Sequence, residues 1–264
     1  ETYRGLFRIT PTLLACDLHP DFFSSREAEA LAARESLPLI RVQHHWAHMA
    51  ACMADNRLTG PAFGLVWDGT GLGEDGQTWG AECLIGDYTS CRRAGSIRPV
   101  LLPGGDVCAV EIGRTALALA ADAGCPEAAP DFPRREGVAA LLQSGYRCVP
   151  SSGMGRLFDG VYALLTGRTA AGYDGQAPAL LEALAQGAPP ADLYRPVYYQ
   201  ENGVRRFDTR PLIRALCAQK AAGVSPAALA AGFQQAVCRM ALDQCRALNP
   251  DRLPVVLSGG VFFN

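Results

Sequence analysis

The sequence has neither an excess of one charge nor a long apolar run. It contains 24 Lys and Arg residues against 26 Asp and Glu residues, which gives a formal net charge of -2 at pH 7. This balance provides no basic field for a polyphosphate backbone, so we expect no nucleic-acid partner. No apolar run approaches the length of a bilayer span, and the first residues lack the basic and apolar regions of a signal peptide. We therefore expect a soluble cytoplasmic protein that binds no membrane.

No two of the ten cysteines are spaced as Cys-x-x-Cys. Because that spacing is typical of zinc modules and thioredoxin-type redox sites, neither is predicted. Residues such as Cys83 and Cys217 lie in apolar stretches, where a thiol behaves as a small hydrophobic group. A chain of this length can also form an ample core without disulfides. We expect reduced and mostly structural cysteines.

Hydrophobic periodicity predicts an α/β protein. The Ser24-Ser25-Arg26-Glu27 segment has the form of a capping box at the start of a helix. A β-rich first part, a helical middle and a final strand indicate two α/β lobes with a cleft between them. Strands are predicted at residues 12–16, 38–42, 62–67, 79–85, 95–102 and 254–257, and helices at residues 24–35, 44–56, 110–123, 157–165, 211–222 and 226–248.

All four histidines of the chain lie within residues 19–48. If the segment after the second strand is helical, His44 and His48 are four residues apart on one face, a spacing suited to two imidazoles that bind one divalent metal. The spacing also permits a pair of His45 with His48. Asp68, at the end of the next strand, is the nearest candidate for a third ligand, and parallel packing of the two strands would place both groups at one sheet edge. The alternative is a set of polar residues at a helix start, without a metal.

A glycine-rich segment from Asp68 to Gly76 follows the third predicted strand. A dinucleotide fingerprint requires a helix directly after it, whereas the next element predicted here is a strand. The arrangement is instead similar to the phosphate-binding hairpins of actin, sugar kinases and Hsp70, in which glycine lets backbone amides approach phosphate oxygens. The alternative is an ordinary hairpin that turns at Asp75-Gly76.

Two further turns could face a ligand. Residues 151–159 lead into a predicted helix whose free amides could bind an anion. Asp159, one turn inside, could accept hydrogen bonds from ribose hydroxyls or be a favourable charge near the helix start. Ser258-Gly259-Gly260 follows the last strand. Three such turns separated by helices predict a nucleotide cleft.

The ordered set of motifs resembles the carboxyl-terminal carbamoyltransferase domain of the HypF family of hydrogenase maturation proteins. The domain is also similar to the catalytic subunit of tRNA threonylcarbamoyladenosine synthase. The resemblance implies an α/β fold of the actin, sugar kinase and Hsp70 type (ASKHA), with a metal- and phosphate-binding lobe at residues 1–103 and a helical, nucleotide-binding lobe at residues 104–264. We expect the first lobe to be incomplete at its start and the second at its end. The matching segments are residues 17–22, 43–48, 67–71, 79–82, 155–159, 173–176 and 258–261.

The resemblance implies that a divalent metal, zinc or iron, is bound by His44, His48 and Asp68, and that His45 is not a ligand. It also implies a nucleotide and substrate pocket, in which magnesium could accompany the nucleotide. His19 either lines the cleft or caps its own turn. The residues that the resemblance assigns to the pocket are Gly69, Thr70, Gly71, Gly73, Glu82, Gly155, Arg156, Asp159, Gly175, Gln176, Gly259, Gly260 and Asn264.

HypF proteins use carbamoyl phosphate and ATP to make carbamoyl-adenylate, and transfer the carbamoyl group to the carboxyl-terminal cysteine of the partner HypE. The resemblance therefore implies a carbamoyltransferase with a nucleotide substrate and a HypE-type partner. The family's acylphosphatase-like, zinc-finger and YrdC-like domains are not in this sequence, and a later Asp-Gly-Gly segment would lie beyond Asn264. We accordingly expect this chain alone to make no carbamoyl-adenylate and to bind metal weakly. The alternatives are a tRNA threonylcarbamoyl transferase, disfavoured by the Asp-Leu-His-Pro segment and the lack of a basic patch, and an inactive fragment that binds only nucleotide or a partner protein.

Overall fold

A computed structural model describes residues 2–263 of the chain. Within these residues the fold is α/β, with a large mixed sheet and a separate pair of parallel strands. The strands are β1 (Leu14–Asp17), β2 (Leu39–Val42), β3 (Ala62–Leu72), β4 (Thr78–Gly86), β5 (Cys91–Ile97), β6 (Val100–Pro103), β7 (Cys148–Ser151), β8 (Tyr198–Glu201), β9 (Val204–Phe207) and β10 (Val255–Ser258). The helices are α1 (Thr2–Phe7), α2 (Phe23–Glu35), α3 (His44–Asp55), α4 (Ile112–Asp122), α5 (Arg135–Ser144), α6 (Met154–Thr166), α7 (Gln176–Ala185), α8 (Arg210–Ala221) and α9 (Pro226–Leu248).

The large sheet has eight strands, six of them in the order β10-β3-β4-β5-β9-β8, while β7 joins β4 and pairs with β6. β3 and β4 form an antiparallel hairpin, and β10 pairs with β3 in parallel. β1 and β2 are parallel neighbours in the small sheet. The large sheet combines strands from both sides of residue 103, so the division into lobes at that residue stays a prediction.

Helix α6 forms the centre of the core. All twelve residues from Met154 to Leu165 are buried, as expected for a helix covered by protein on every side. Gly160 permits the close approach of α4, because a Cβ there would lie 2.3 Å from Cδ1 of Leu119. The charged residues Arg156 and Asp159 of this helix are consequently buried as well.

The predicted α/β pattern is confirmed, and three local predictions are wrong. The capping box does not form, because α2 begins at Phe23 and the hydroxyl of Ser25 donates to the Asp17 carbonyl instead. The single strand at residues 95–102 is two strands, β5 and β6, because Pro99 between them has no amide to donate to a ladder. β2 and β3 are not neighbours, since they belong to different sheets. Periodicity also left α5, α7 and β7 to β9 unpredicted.

The ten cysteines, all among the described residues, form no disulfide in the structure, and their reduced state stays a prediction. Among the described helices, none combines the length and the apolar character needed to cross a membrane.

Candidate functional site

Two histidines of α3 and one aspartate within β3 converge at one place. Helix α3 begins at His44, directly after β2, and the side chain of Gln43 caps it by accepting a hydrogen bond from the Trp46 amide at 2.9 Å. One helical turn then places His44 and His48 on the same face. Their Nε2 atoms lie 3.4 Å and 3.1 Å from Oδ2 of Asp68. The ligand atoms of the three residues all lie within 4.8 Å of one another.

A bulge in the β3–β4 hairpin brings Asp68 to this cluster. The strand register shifts between Trp67 and Gly71, so that the three residues between them lie opposite a single residue of β4. Such a bulge bends the strand and redirects its side chains. Glycine is required at residue 71, because a Cβ there would lie 2.6 Å from Cε1 of His45 and 2.9 Å from Cδ2 of His44.

Asp17 contacts the other ring nitrogen of His44. It ends β1, which pairs with β2, and its Oδ2 lies 2.7 Å from Nδ1 of His44. Its Oδ1 accepts a hydrogen bond from the His19 amide at 2.8 Å. Sequence reasoning did not assign Asp17 to the site. The available signal was its position at the end of a strand that precedes the strand leading into His44.

His45 belongs to the core and not to the cluster. Its side chain is fully buried, and its Nδ1 lies 3.2 Å from Nε2 of Gln43. Burial lowers the pKa of His45 to about 4, so the ring is neutral at physiological pH. Among the residues that the structure describes, the cluster with metal-ligand spacing contains His44, His48 and Asp68.

The charges of the cluster suit a divalent metal. The hydrogen bond with Asp68 raises the pKa of His44, against the opposing effect of burial and with a further contribution from Asp17. Burial alone would raise the pKa of Asp68, but hydrogen bonds from His44, His48 and the Gly69 amide hold it well below its usual range. Asp68 therefore stays ionised. Two imidazole nitrogens and one anionic oxygen form a donor set that fits zinc or iron(II).

Two cavities share Gly69, Arg156 and Asp174 in their walls. The glycine cavity, of about 240 Å³, is lined by Asp68, Gly69, Gly155, Arg156, Phe158, Asp174, Gly175, Pro178, Gly260 and Val261. The His19 cavity, of about 320 Å³, includes His19, Phe22, Gly69, Thr70, Gly71, Leu72, Asp106, Val149, Arg156 and Asp174 among its lining residues. Seven residues assigned to the pocket by resemblance therefore line one or both cavities, and Asn264 lies outside the described residues.

The glycine-rich hairpin combines an ordinary turn with a cavity wall. At its tip, Gly76 has a φ of +74° and the carboxylate of Asp75 accepts a hydrogen bond from the Gln77 amide at 3.0 Å. Closer to the sheet, the segment from Gly69 to Gly71 faces the cavities. His19 likewise has both roles considered for it, because it lines a cavity while its Nδ1 accepts the amide hydrogen of its own turn.

Five other residues assigned to the pocket lie in neither of these cavities: Gly73, Gln176, Gly259, Glu82 and Asp159. Gly73 packs on an indole, since a Cβ there would lie 2.1 Å from Nε1 of Trp79. Gly259 has a φ of +98° and packs against the backbone of Trp67. The side chain of Gln176 accepts a hydrogen bond at 2.7 Å from a backbone amide four residues earlier. Their assignment to substrate stays a prediction.

Glu82, in strand β4 of the hairpin, is fully buried. Its carboxylate accepts hydrogen bonds from Nε of Arg93 at 2.6 Å, from the hydroxyl of Ser152 at 2.7 Å and from the Gly80 amide at 3.1 Å. These bonds connect β4 to β5 and to the segment before α6. In the structure Glu82 therefore supports the walls of the site and does not line either cavity; a contact with substrate stays a prediction.

Arg156 is a buried cation where the two cavities meet. Its Nε lies 3.2 Å from Oδ2 of Asp159, and its guanidinium donates to the exposed carboxylate of Asp174. The contact with Asp159 is close but poorly aligned, since neither oxygen of Asp159 has a hydrogen-bond partner among the described residues. Burial raises the pKa of Asp159 to about 7, although Arg156 lowers it.

We expect Asp159→Asn to change how stability depends on pH. The pKa of Asp159 is about 7 in the folded protein against an ordinary 3.8, so the folded state binds this proton more tightly than the unfolded state. Ionisation of Asp159 consequently destabilises the wild type as the pH rises from about 4 to about 7, and the amide removes this loss. Between about pH 5 and about pH 8, the variant should gain about 1–3 kcal/mol in unfolding free energy relative to wild type.

Urea unfolding at both pH values measures this difference. Asp192→Asn, at an exposed position, is the control and should follow the wild type. A difference between Asp159→Asn and wild type that is the same at both pH values would contradict the buried carboxyl group described here.

Two family models match the chain along almost its whole length. Residues 1–55 match the HypF Kae1-like domain, and residues 64–264 match the second subdomain of the carbamoyltransferase Kae1-like domain. The chain belongs to the HypF family.

Curated HypF proteins are similar to the chain over a part of their length. The carbamoyltransferase HypF of Rhizobium leguminosarum bv. viciae is 40% identical over 270 residues, which cover 98% of this chain and 34% of the relative. Carbamoyltransferase HypF2 of Cupriavidus necator is 46% identical over 185 residues, which cover 69% of this chain and 23% of the relative. The chain thus spans about a third or less of these two proteins.

Solved HypF structures match the fold. A crystal structure of full-length HypF in the phosphate- and nucleotide-bound form has a TM-score of 0.88 at 31% identity, covering 99% of this chain and 41% of that one. The structure of T. kodakarensis HypF has a TM-score of 0.83 at 27% identity, covering 99% and 36%. These matches confirm the HypF family and the ASKHA-like α/β fold that the motifs predicted.

Proposed function

We propose that this chain is the carbamoyl-transfer part of a HypF-type maturation protein of [NiFe] hydrogenase. It would move the carbamoyl group of carbamoyl-adenylate to the carboxyl-terminal cysteine of a HypE-type partner. One observation carries the proposal: Asp68 belongs both to the cluster with His44 and His48 and to the wall of the glycine cavity. A residue that we propose as a metal ligand therefore borders the cavity that we assign to the nucleotide. The similar full-length HypF crystallised with phosphate and nucleotide supports this use of the cavity.

The transfer requires a thiol from outside the chain. In the proposed step the sulfur of a thiolate attacks the carbamoyl carbon, a carbon–sulfur bond forms, and the bond from that carbon to the phosphate oxygen breaks. AMP leaves with the electron pair, and the thiol proton passes to solvent. No cysteine of the described residues lines either cavity, which favours a partner as the source of the nucleophile.

The chain's own residues have distinct parts in this proposal. His44, His48 and Asp68 would hold zinc or iron(II), which when bound acts as a Lewis acid toward a carbamoyl or phosphate oxygen. Arg156 presents a guanidinium to both cavities and can donate hydrogen bonds to an anionic oxygen. Gly69 lies beside it and lines the same two cavities. Because the adenylate is already activated, catalysis consists mainly of positioning the reactants and stabilising the developing charge.

A transfer assay tests the proposal. The chain is purified with zinc or iron and incubated with carbamoyl-adenylate and a peptide that ends in cysteine; the same peptide ending in serine is the control. We expect mass spectrometry to detect one added carbamoyl group on the cysteine peptide alone. Modification of tRNA instead would support a threonylcarbamoyl-transferase type of activity. Nucleotide binding without transfer to either acceptor would indicate an inactive binding domain, and both results would overturn the proposal.

A further inference from the structure

The proposed function leaves the Asp-Leu-His-Pro turn after β1 without a role. Its first residue, Asp17, has a side chain that is 16% exposed, and both carboxylate oxygens are in use. Oδ1 accepts a hydrogen bond from the His19 amide at 2.8 Å, which fixes the orientation of the carboxylate. Oδ2 lies 2.7 Å from Nδ1 of His44. The turn therefore holds one oxygen against the first histidine of the cluster.

This contact determines which nitrogen of His44 carries the proton in the neutral ring. An ionised carboxylate can only accept hydrogen bonds, so the nitrogen that faces it must donate. The contact of 2.7 Å with Asp17 is shorter than the contact of 3.4 Å between Nε2 and Asp68. A hydrogen bond from Nε2 to Asp68 as well requires the protonated ring. In the neutral ring the proton therefore lies on Nδ1, and the lone pair of Nε2 is free on the side where His48 and Asp68 converge.

We propose that Asp17 is a positioning residue of the metal site, which holds His44 in the tautomer and ring orientation that present Nε2 to a metal. The identity of the site as a metal centre rests on the proposed function; the tautomer of His44 does not. A carboxylate on the distal nitrogen of a ligating histidine orients the ring and raises its basicity. Asp17 would therefore act on metal affinity through His44, without touching the metal.

The contact is specific to one of the two histidines. The ring of His48 has its ion-pair contact with Asp68 through Nε2, and within residues 2–263 no carboxylate forms a second such contact with it. His44 contacts a carboxylate through each ring nitrogen, Asp17 through Nδ1 and Asp68 through Nε2. Among the residues around the three ligands, we therefore expect Asp17 to have the largest effect on the orientation of a ligand ring.

Asp17→Asn is a sharp test because an amide cannot satisfy both neighbours. If its oxygen accepts from His44, its NH₂ group faces the amide hydrogen of His19, and two donors oppose each other. If its oxygen accepts from His19, the NH₂ group faces Nδ1 of His44, which must then be the unprotonated nitrogen. In the second arrangement Nε2 carries the hydrogen and cannot bind a metal. Either arrangement weakens the site.

The first measurement needs no metal. Nitrogen-15 NMR of the imidazole rings, at an alkaline pH where they are neutral, reports the tautomer of His44. We expect the hydrogen on Nδ1 in the wild type and a shift of the population toward Nε2 in Asp17→Asn. Asp21→Asn is the matched control, because Asp21 lies in the same turn and pairs with the exposed Arg26 outside the cluster.

The second measurement is zinc affinity, by competition with a chromogenic chelator. We expect Asp17→Asn to bind zinc about 10–100-fold more weakly than wild type and Asp21→Asn to bind as wild type. Unchanged affinity in folded Asp17→Asn would overturn the proposal, as would a wild-type spectrum with the hydrogen on Nε2. The wild-type spectrum decides the tautomer even if Asp17→Asn does not fold. A failed transfer assay with the expected tautomer would contradict the proposed function alone.

Discussion

Replacing His48 with glutamine is expected to slow carbamoyl transfer by about 10³-fold, because a Lewis acid supplies several kcal/mol of charge stabilisation and each 1.36 kcal/mol is about tenfold in rate. The variant loses one of the three groups whose ligand atoms lie within 4.8 Å of one another. The side chain of His48 is 36% exposed, so its replacement should cost little stability. The rate is measured with carbamoyl-adenylate and the cysteine peptide, and bound metal by elemental analysis.

Trp46→Phe is the matched control for His48→Gln. Trp46 lies on the same helix but outside the cluster, and its Nε1 donates to the Asp87 carbonyl at 2.8 Å. We expect this variant to lose one hydrogen bond and to keep its metal and its transfer rate. A His48→Gln protein that transfers at the wild-type rate without metal would contradict the role given to the cluster.

Glu82→Gln is expected to lower the free energy of unfolding by about 3 kcal/mol, because breaking a buried ion pair leaves its partner without compensation. Glu82 is fully buried, and Arg93 donates to it through Nε at 2.6 Å and Nη2 at 3.1 Å. Glutamine keeps the size of the side chain but removes its charge. Asp75 still pairs with Arg93 at 3.0 Å, which limits the loss. Urea unfolding of the wild type and the variant measures it.

The pH dependence of this loss has a definite sign. Burial would raise the pKa of Glu82, but Arg93 lowers it below the ordinary 4.5, with His45 and Ser152 adding to the shift. The stabilisation is therefore fully present above about pH 4.5 and is lost as the pH falls through the lower pKa of the folded protein. The difference between wild type and Glu82→Gln should shrink in acid.

Glu111→Gln is the control for Glu82→Gln. Glu111 pairs with Arg114 at 2.6 Å, but its side chain is 42% exposed, and such pairs contribute about 0–1 kcal/mol. Equal losses in the two variants would contradict the stabilising role of the buried network. The losses of stability in Glu82→Gln and Arg93→Gln are also compared with the loss in the double variant. If the two single losses add up to the double one, the direct coupling of Glu82 and Arg93 is contradicted, because the effects of substitutions at contacting residues are expected to be non-additive.

Helices α3 and α6 and most strands near the site were predictable because their signals are local, whereas α7, which begins beside the glycine cavity, was not predicted. Apolar periodicity predicted α9 with its observed bounds and β4 to within one residue at each end, whereas β3 extends five residues beyond its predicted end. The break between β5 and β6 was missed although Pro99 marks it, because the apolar pattern continues across the proline. Short elements such as β8 and β9 were missed because four residues carry little periodic signal.

The glycines that the resemblance assigned to the substrate pocket fall into two groups in the structure. Gly69 and Gly175 line the cavities, whereas Gly73 and Gly259 allow close packing against Trp79 and Trp67. A Cβ would clash at Gly73 and Gly259 but not at Gly69 or Gly175, and Gly175 instead has a φ of +91°. Because different causes favour the same residue type, the sequence alone does not separate them. Only the surroundings distinguish a glycine that faces a cavity from a glycine that faces a side chain or backbone of the core.

The sequence by itself determined that His44 and His48 lie on one face of a helix, because four residues make about one turn in any α-helix. It also determined the family, through the order of its motifs. Only the tertiary structure decided that Asp17 contacts His44, 27 positions away, and that Ser152 contacts Glu82, 70 positions away. Such contacts depend on which strands pair and on which layer covers them, and local periodicity carries no information about either. Asp68 was already the candidate third ligand in the sequence, but the bulge that accompanies its position beside the two histidines is visible only in the tertiary structure.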